Sequence, residues 1–223
     1  MIVAKAPRAA LFDMDGLLID SEPLWEQAEV EVIASLGVDT SVRDTMPDLL
    51  GLRIDLVVDL WYQYAPWKTP SRDEVVKRII HRAIELVDER RPLLPGVEQA
   101  LQLCRDQGFR IGLASASPLF MLQHVLQTFG LTDYFDTLAS AESLPFSKPH
   151  PQVYLNAAHA LDISPLRCVT LEDSINGMIA TKAARMRSIV VPSAEHFRDP
   201  RWVLADKKLN SLEALTLEDL TGN

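Results

Sequence analysis

Short apolar runs alternate with amphipathic stretches along most of this chain. The runs end in polar residues or glycine, which is typical of strands that are buried on both faces of a sheet. They predict strands at residues 9–16, 109–114, 135–139, 167–171 and 187–191. Strands that alternate with helices form a parallel sheet with helices on both faces, so the pattern predicts an α/β fold.

Two of the amphipathic stretches have clear helical signals. Their apolar residues recur at spacings of three and four, and each series is followed by a glycine that can end the helix. The first series, which precedes Gly108, consists of Val97, Ala100, Leu101 and Cys104. The second series, which precedes Gly130, consists of Leu119, Leu122, Val125, Leu126 and Phe129. Gly16 permits a tight turn at the end of the first strand.

The stretch from about residue 22 to residue 90 has helical periodicity throughout. Its three apolar faces are Trp25, Ala28, Val32 and Leu36; Ile54, Val57, Val58 and Trp61; and Val75, Val76, Ile79, Ile80, Ala83, Ile84 and Val87. Ser71 and Glu74 have the spacing of a capping box at the start of the third helix. We therefore predict a Rossmann-like core of residues 1–20 and 91–223 and a helical cap of residues 21–90. The cap follows the first strand directly, so we expect it to lie over the carboxyl end of that strand.

The composition limits the possible partners. The chain has 223 residues, of which 48% are hydrophobic and 24% are charged, and such values are typical of a globular protein in water. The formal net charge is −9, and no block of Lys and Arg offsets it, so we expect no nucleic-acid partner. The apolar runs are shorter than the roughly 18 residues of a membrane-spanning helix. We therefore expect no membrane association.

The two cysteines and the N-terminal stretch indicate a compartment. Cys104 and Cys168 lie far apart in apolar segments, which predicts two buried free thiols in a reducing environment. Asp13 and Asp15 interrupt the first apolar stretch, so we expect no secretory signal. These features together predict a cytoplasmic protein. Because no unpaired apolar helix face is obvious in the sequence, we expect a monomer.

Polar residues follow four of the predicted strands. They are Asp13 and Asp15; Ser115, Ala116 and Ser117; Ser147 and Lys148; and Glu172, Asp173 and Ser174. Ligands of parallel α/β sheets bind outside the carboxyl ends of the strands. We therefore expect these side chains to meet in one cleft that contains carboxylates, hydroxyls and one ammonium group.

This set of side chains predicts a site for a metal ion and a phosphate. Carboxylates in one cleft repel one another and are stable when they share a cation. Oxygen ligands without His or Cys favour Mg²⁺, which leaves coordination positions for phosphate oxygens. Lys148 supplies a positive charge for a transferring phosphoryl group. Ser115 and the start of the next helix, near Pro118, can hold further phosphate oxygens.

Asp13 and Asp15 are the candidate catalytic residues of this cleft. A carboxylate can attack phosphorus and form an aspartyl phosphate, and we assign this role to Asp13. Asp15 lies two residues further on, so we expect it on the same side of an extended strand. There it can protonate the leaving alkoxide and then deprotonate the attacking water. The two carboxylates then need different environments, with Asp15 protonated at the first step.

The same residues resemble the motifs of a known family. The segment FDMDG at residues 12–16 resembles the first motif of the haloacid dehalogenase superfamily. Ser115 resembles its second motif, Lys148 its third, and the pair Glu172 and Asp173 its fourth. The helical insert resembles the cap of the subgroup that contains β-phosphoglucomutase and sugar phosphatases. This resemblance implies Mg²⁺-dependent hydrolysis of sugar phosphate monoesters, namely hexose 6-phosphates such as 2-deoxyglucose 6-phosphate, and hexitol phosphates.

The resemblance also implies the roles of individual residues. The metal ligands would be Asp13, Asp15 through its backbone carbonyl, Asp173, and Glu172 either nearby or through water. The cofactor would be Mg²⁺, with Mn²⁺ or Co²⁺ able to substitute. The residues that bind the phosphate and substrate would be Asp13, Met14, Asp15, Ser115, Ala116 and Lys148. The Lys148–Pro149 bond is a candidate cis peptide, because X–Pro bonds adopt the cis form most readily.

Other activities of the superfamily stay open. Asp15 argues against a dehalogenase, because the dehalogenases lack the second aspartate. β-Phosphoglucomutase has a histidine where this chain has Trp25, and an indole cannot titrate, which disfavours a mutase. A phosphatase for glycerol phosphate or phosphoglycolate and a non-catalytic phosphosugar binder are further alternatives. Substrate choice is expected to lie in the cap, where Glu22, Trp25 and Arg53 are the candidates for contacting the sugar.

Overall fold

A parallel six-stranded sheet forms the centre of the molecule. The structure is a computed structural model that describes residues 8–47, 49 and 51–222. The strand order in the sheet is β3-β2-β1-β4-β5-β6. The strands are β1 Arg8–Phe12, β2 Phe109–Ser115, β3 Thr137–Ser140, β4 Cys168–Glu172, β5 Arg187–Val190 and β6 Lys207–Lys208. This sheet confirms the predicted α/β class and places β1 in its interior, between β2 and β4.

The strands differ from the predicted ones chiefly at the start of β3, at the end of β1 and in the presence of β6. β3 begins at Thr137, two residues later than predicted, because Phe135 follows a turn of 3₁₀ helix. β1 ends at Phe12, so residues 13–16 lie beyond the strand rather than within it. β6 was not predicted, because it consists of two exposed lysines and has no apolar run.

Helices cover both faces of the sheet. The core helices are α4 Val97–Asp106, α5 Leu119–Thr128, α6 Gln152–Ala160, α7 Ile175–Ala183 and α8 Leu217–Thr221. Successive residues of β1 point to opposite faces. Ala10 and Phe12 belong to the apolar cluster that includes α4 and α5, whereas Ala9 and Leu11 belong to the cluster that includes α6 and α7. The predicted apolar face of α4 is buried, but in α5 Leu119 is exposed.

Three further helices lie between β1 and α4. They are α1 Glu22–Ser35, α2 Ile54–Tyr64 and α3 Arg72–Arg90, and α3 packs against the other two. The predicted face of α2 is buried in full. The prediction for α1 is partly wrong, because Glu29 is buried while Trp25 and Val32 are only half-buried. Trp61 Nε1 donates a hydrogen bond of 3.2 Å to Glu29, which draws that side chain inward. The exact cap limits, residues 21–90, stay a prediction.

Polar contacts connect the cap helices to the core. Arg53, just before α2, donates hydrogen bonds to the carbonyl oxygens of Ala141 and Leu144 at 2.8 and 2.7 Å. His124 in α5 lies 2.8 Å from Asp88 in α3. This pairing of His124 with Asp88 could not be predicted, because the two residues lie 36 positions apart in the chain. These contacts hold the cap over the carboxyl ends of the strands.

The structure also describes the two cysteines and the cis peptide bonds. Cys104 and Cys168 are buried and free, as predicted. The Lys148–Pro149 bond is cis, and so is Thr69–Pro70. None of the described helices is long and apolar enough to cross a membrane.

Candidate active site

A cavity of about 390 Å³ lies between the cap and the carboxyl ends of β1, β2 and β4. It brings together most of the residues singled out from the sequence, namely Asp13, Asp15, Ser115, Ala116, Lys148 and Asp173 from the core and Glu22, Trp25 and Arg53 from the cap. Met14 and Glu172 do not line it, because both side chains are fully buried beneath its floor. Any contact of Met14 with a phosphate would therefore involve its backbone.

Lys148 connects two of the buried carboxylates at the floor of the cavity. Its Nζ lies 2.9 Å from Asp13 Oδ1 and 2.7 Å from Glu172 Oε1, and its side chain is only 2% exposed. Burial alone would lower the pKa of Lys148, but the charges of Asp13 and Glu172 and the hydrogen bonds to both raise the pKa above its usual range. Lys148 is therefore a fixed positive charge beside Asp13.

Glu172 is held by protein donors on both of its carboxylate oxygens. Oε1 accepts hydrogen bonds from Lys148 and from the hydroxyl of Tyr154. Oε2 accepts from the backbone N–H groups of Asp173 and Ser174 and from the Ser174 hydroxyl, at 3.2–3.3 Å. A side chain at Gly177 would overlap this carboxylate, so α7 needs glycine there. With its oxygens engaged in this way, Glu172 fixes the position of Lys148.

Three buried carboxylates form a group that fits a divalent cation. Oxygens of Asp13, Glu172 and Asp173 all lie within 4.8 Å of one another. Burial, followed by the negative charges of the neighbouring carboxylates, raises the pKa of Asp13 to about 8 and that of Asp173 well above its usual range. Such repulsion is relieved when a cation binds. An all-oxygen set of this kind suits Mg²⁺, and because Glu172 is occupied by Lys148 and Tyr154, Asp13 and Asp173 are the better placed ligands.

Asp15 is surrounded by neutral donors, unlike Asp13. Its Oδ1 accepts hydrogen bonds from Ser21 Oγ at 2.7 Å and from Trp25 Nε1 at 2.9 Å. Its Oδ2 accepts from Ser117 Oγ at 2.7 Å and from Ser115 Oγ at 3.4 Å. Asp13 and Asp15 were expected on one side of an extended strand. This expectation is wrong in detail, because β1 ends at Phe12, but both aspartates line the cavity.

A turn after β1 brings the two aspartates to the cavity. The Met14 carbonyl accepts the N–H groups of Leu17, Leu18 and Ile19, which closes the turn. Gly16 has a φ of +74°, and a side chain there would overlap the carboxylate of Asp173. Glycine is therefore required at this position for two reasons, the left-handed backbone and the close approach of the Asp173 side chain. The expected tight turn at Gly16 is present.

The cap candidates have different surroundings. Glu22, at the start of α1, brings its carboxylate close to that of Asp173 beside Gly16, and burial raises the pKa of Glu22. The donors of Arg53 are engaged by Asp55 and by two carbonyls of the core, so Arg53 joins the cap to the core while lining the cavity. Trp25 contacts Asp15 directly.

Some residues of this cavity were not found from the sequence as site residues. Ser117 was noted at a strand end but not given a role, and His196 was not singled out, although it lines the cavity and lowers the pKa of Glu22. Glu29 and Arg43, which line the cavity, and Tyr154, which is buried behind Glu172, gave no signal, because each stands alone in an ordinary helix or turn. Their positions depend on how distant segments pack.

The fold and the site place the chain in a known class. The chain belongs to the haloacid dehalogenase-like hydrolase family, whose model matches residues 7–185. It is 68% identical over 214 residues to hexitol phosphatase B of Escherichia coli strain K12, which covers 96% of each chain. These likenesses identify the protein as a phosphatase of that family.

Two solved structures have the same architecture. CbbY from Rhodobacter sphaeroides in complex with xylulose-(1,5)-bisphosphate has a TM-score of 0.81 at 28% identity, covering 96% of this chain and 99% of that one. A β-phosphoglucomutase from Clostridium difficile has a TM-score of 0.79 at 26% identity, covering 95% of this chain and 94% of that one. The similarity extends over the cap helices as well as the sheet, because nearly the whole of each chain is covered.

Proposed function

We propose that this phosphatase hydrolyses phosphate monoesters of six-carbon sugars and hexitols, such as 2-deoxyglucose 6-phosphate and hexitol phosphates, with Mg²⁺ as cofactor. The observation that carries the proposal is the 2.9 Å contact between Asp13 and the buried Lys148, at the floor of a cavity that Asp15 also lines. The similarity to a hexitol phosphatase supports the class of substrate. In this proposal residues 21–90 are the cap that closes over the leaving group.

In the first step Asp13 attacks the phosphorus atom of the ester. A new bond forms between an Asp13 carboxylate oxygen and phosphorus, and the bond between phosphorus and the sugar oxygen breaks. Asp15 gives its proton to the departing alkoxide, so the sugar leaves as an alcohol. Lys148, Ser115 and the backbone N–H groups near Ala116 stabilise the charge on the phosphoryl oxygens.

In the second step Asp15 acts as the base. It takes a proton from a water molecule whose oxygen attacks the phosphorus of the aspartyl phosphate. The bond between Asp13 and phosphorus then breaks, and inorganic phosphate is released. Each cycle consumes one ester and one water and returns both aspartates to their starting states.

The metal ion would be held by Asp13, Asp173 and the backbone carbonyl of Asp15. When bound, Mg²⁺ offsets the negative charge of the carboxylates and of the phosphoryl oxygens. Burial, more than the neighbouring carboxylates, raises the pKa of Asp13 to about 8 without a cation, and a bound Mg²⁺ would favour the ionised nucleophile. We also propose that the protein prefers Mg²⁺ over Mn²⁺ or Co²⁺.

Phosphate release is expected to require a divalent cation. We would measure inorganic phosphate from 2-deoxyglucose 6-phosphate, glucose 6-phosphate, mannitol 1-phosphate, sorbitol 6-phosphate and glycerol 1-phosphate, each with Mg²⁺ and with chelator. Chelator is expected to reduce release to the background, and Mg²⁺ is expected to restore it, because the carboxylate group needs a counter-ion. Release that persists in chelator would contradict the metal requirement. Release from glycerol 1-phosphate alone would contradict the six-carbon substrates.

Trp25 fixes the orientation of the Asp15 carboxyl group in the proposed mechanism. An indole N–H can donate but not accept, so Oδ1, which accepts from Trp25, has to remain an acceptor. Oδ2 lies beside the hydroxyls of Ser117 and Ser115, which can reverse their direction and so accommodate Asp15 with or without its proton. Trp25 is thus a positioning residue for the acid and base.

Replacing Trp25 with phenylalanine is expected to lower kcat about tenfold to a hundredfold, because a hydrogen bond to a charged group contributes roughly 1.5–3 kcal/mol. Steady-state phosphate release measures this effect. Trp67→Phe is the matched control, since Trp67 Nε1 donates to the carbonyl of Pro70 at 2.9 Å, outside the cavity. Equal kcat values for Trp25→Phe and the wild type would exclude the positioning role.

A further inference from the structure

The cap wall of the cavity contains two charged groups that the mechanism does not use. Glu29 in α1 is 6% exposed, and Trp61 Nε1 donates to one of its oxygens at 3.2 Å. Arg43 lies in the 3₁₀ turn Thr40–Thr45, and its Nε is buried with no hydrogen-bond partner among the described residues. Both residues line the cavity. A buried carboxylate and a buried, unpartnered guanidinium nitrogen are costly unless a ligand pairs with them.

The electrostatics place Glu29 and Arg43 near each other. Burial raises the pKa of Glu29 to about 7, while the hydrogen bond from Trp61 and the charge of Arg43 act in the opposite direction. The described residues contain no direct ion pair between Glu29 and Arg43. An acceptor and a donor therefore face the same space without satisfying each other.

The spacing of residues along α1 gives the distance between Glu29 and the part of the cavity that contains Asp173. Glu22 reaches Asp173, and Glu29 lies seven residues further along the same helix face. Seven residues of α-helix rise about 10 Å, which is similar to the length of an extended six-carbon phosphate ester. The same cavity is also lined by the apolar residues Leu52, Ile54 and Val57.

We propose that Glu29 and Arg43 form a subsite for the terminal hydroxyl groups of a linear six-carbon polyol phosphate. A hydroxyl group both donates and accepts, so it can donate to the Glu29 carboxylate and accept from Arg43 Nε. A three-carbon ester held at Asp13 is too short to reach the pair and leaves both groups unpaired. Sites built around hydrogen bonds to a substrate hydroxyl discriminate strongly against a ligand that lacks it. This inference rests on the proposed function and specifies its substrate.

The test compares a long and a short ester. We would measure kcat/KM for sorbitol 6-phosphate and for glycerol 1-phosphate, and take the ratio of the two. In Glu29→Gln and Arg43→Gln this ratio is expected to fall at least about tenfold, as the loss of a charged hydrogen bond predicts. Glu31→Gln is the matched control, because Glu31 lies on the same helix but is exposed and pairs with Arg82. Its ratio is expected to equal that of the wild type.

The outcomes separate the subsite from the proposed function. Folded variants, checked by circular dichroism and thermal melting, whose ratio stays within about twofold of the wild type would overturn the subsite. If Glu29→Gln does not fold, Arg43→Gln decides. If the wild type releases no phosphate from either ester, the proposed function fails. The subsite alone is then tested by measuring, with calorimetry, the binding of sorbitol 6-phosphate to Asp13→Asn and to Asp13→Asn/Arg43→Gln. Binding that is tenfold weaker in the double variant supports the subsite. Equal or undetectable binding in both proteins overturns it.

Discussion

Asp13→Asn is expected to lower phosphate release by at least about 10³-fold for every ester, because an amide cannot form the covalent phosphoryl intermediate. Asparagine has the same shape as aspartate, so the cavity and the hydrogen-bonded surroundings of Lys148 are retained. Release of inorganic phosphate at saturating Mg²⁺ is the primary measurement. Incorporation of labelled phosphate into acid-quenched protein is the second, and it should be absent in the variant.

The fold of Asp13→Asn is expected to survive. The substitution removes one of three crowded negative charges, while Lys148 keeps its 2.7 Å contact with Glu172. In chelator the Tm of the variant should therefore equal or exceed that of the wild type, because carboxylates that repel one another destabilise the folded state. A large fall in Tm would mean that lost activity reports unfolding rather than lost nucleophilic attack.

Asp15→Asn distinguishes the catalytic role of Asp15 from that of Asp13. The variant cannot protonate an alkoxide, but an ester with a stable leaving group, such as p-nitrophenyl phosphate, needs no acid in the first step. Such an ester should still phosphorylate Asp13 in Asp15→Asn, and the intermediate should accumulate because no base activates the water. Accumulation in Asp13→Asn, or equal loss of phosphorylation in both variants, would contradict the assigned roles.

Much of the core could be predicted because local patterns and global packing agree there. The apolar runs become strands, and the polar residues after β1, β2 and β4 meet because parallel strands end at one edge. The same rule places Asp13, Ser115 and Asp173 together without any knowledge of their distances. Periodicity also finds α2 and α4, whose apolar faces are buried as expected.

The rest depends on contacts between segments that are distant in the sequence. A glutamate in an amphipathic helix is expected to face solvent, yet Glu29 is buried by Trp61, which lies 32 residues further along the chain. Tyr154 occupies an apolar helix position, and only the packing of α6 against the sheet brings its hydroxyl to Glu172. The contact of Arg53 with the sugar stays a prediction, and its hydrogen bonds to the carbonyls of Ala141 and Leu144 join segments that are about 90 residues apart. The spacing of apolar residues indicates which face of one helix or strand is buried. It contains no information about which residues of distant segments contact that face.

Lys148→Met is expected to inactivate the enzyme and to destabilise it by about 3–5 kcal/mol, the range found when one partner of a buried ion pair is removed. The variant leaves Asp13, Glu172 and Asp173 buried without the ammonium group that lies within 3 Å of two of them. We expect kcat to fall at least about a hundredfold, because Lys148 also stabilises the phosphoryl group. Urea unfolding measures stability and phosphate release measures activity. A stable, inactive Lys148→Met would mean that the carboxylates do not depend on Lys148 for their burial.

The double variant Lys148→Met/Glu172→Gln distinguishes the two functions of Lys148. A glutamine carbonyl at the position of Oε2 can accept from Ser174 and the Asp173 N–H, while its amide can donate to the hydroxyl of Tyr154. The uncompensated charge of Glu172 is then gone, so the double variant should regain much of the stability lost in Lys148→Met. Its activity should stay low, because no positive side chain remains beside Asp13. Recovery of both stability and activity would show that Lys148 acts only by balancing the charge of Glu172. Recovery of neither would show that the packing of the Lys148 side chain, rather than its charge, supports the site.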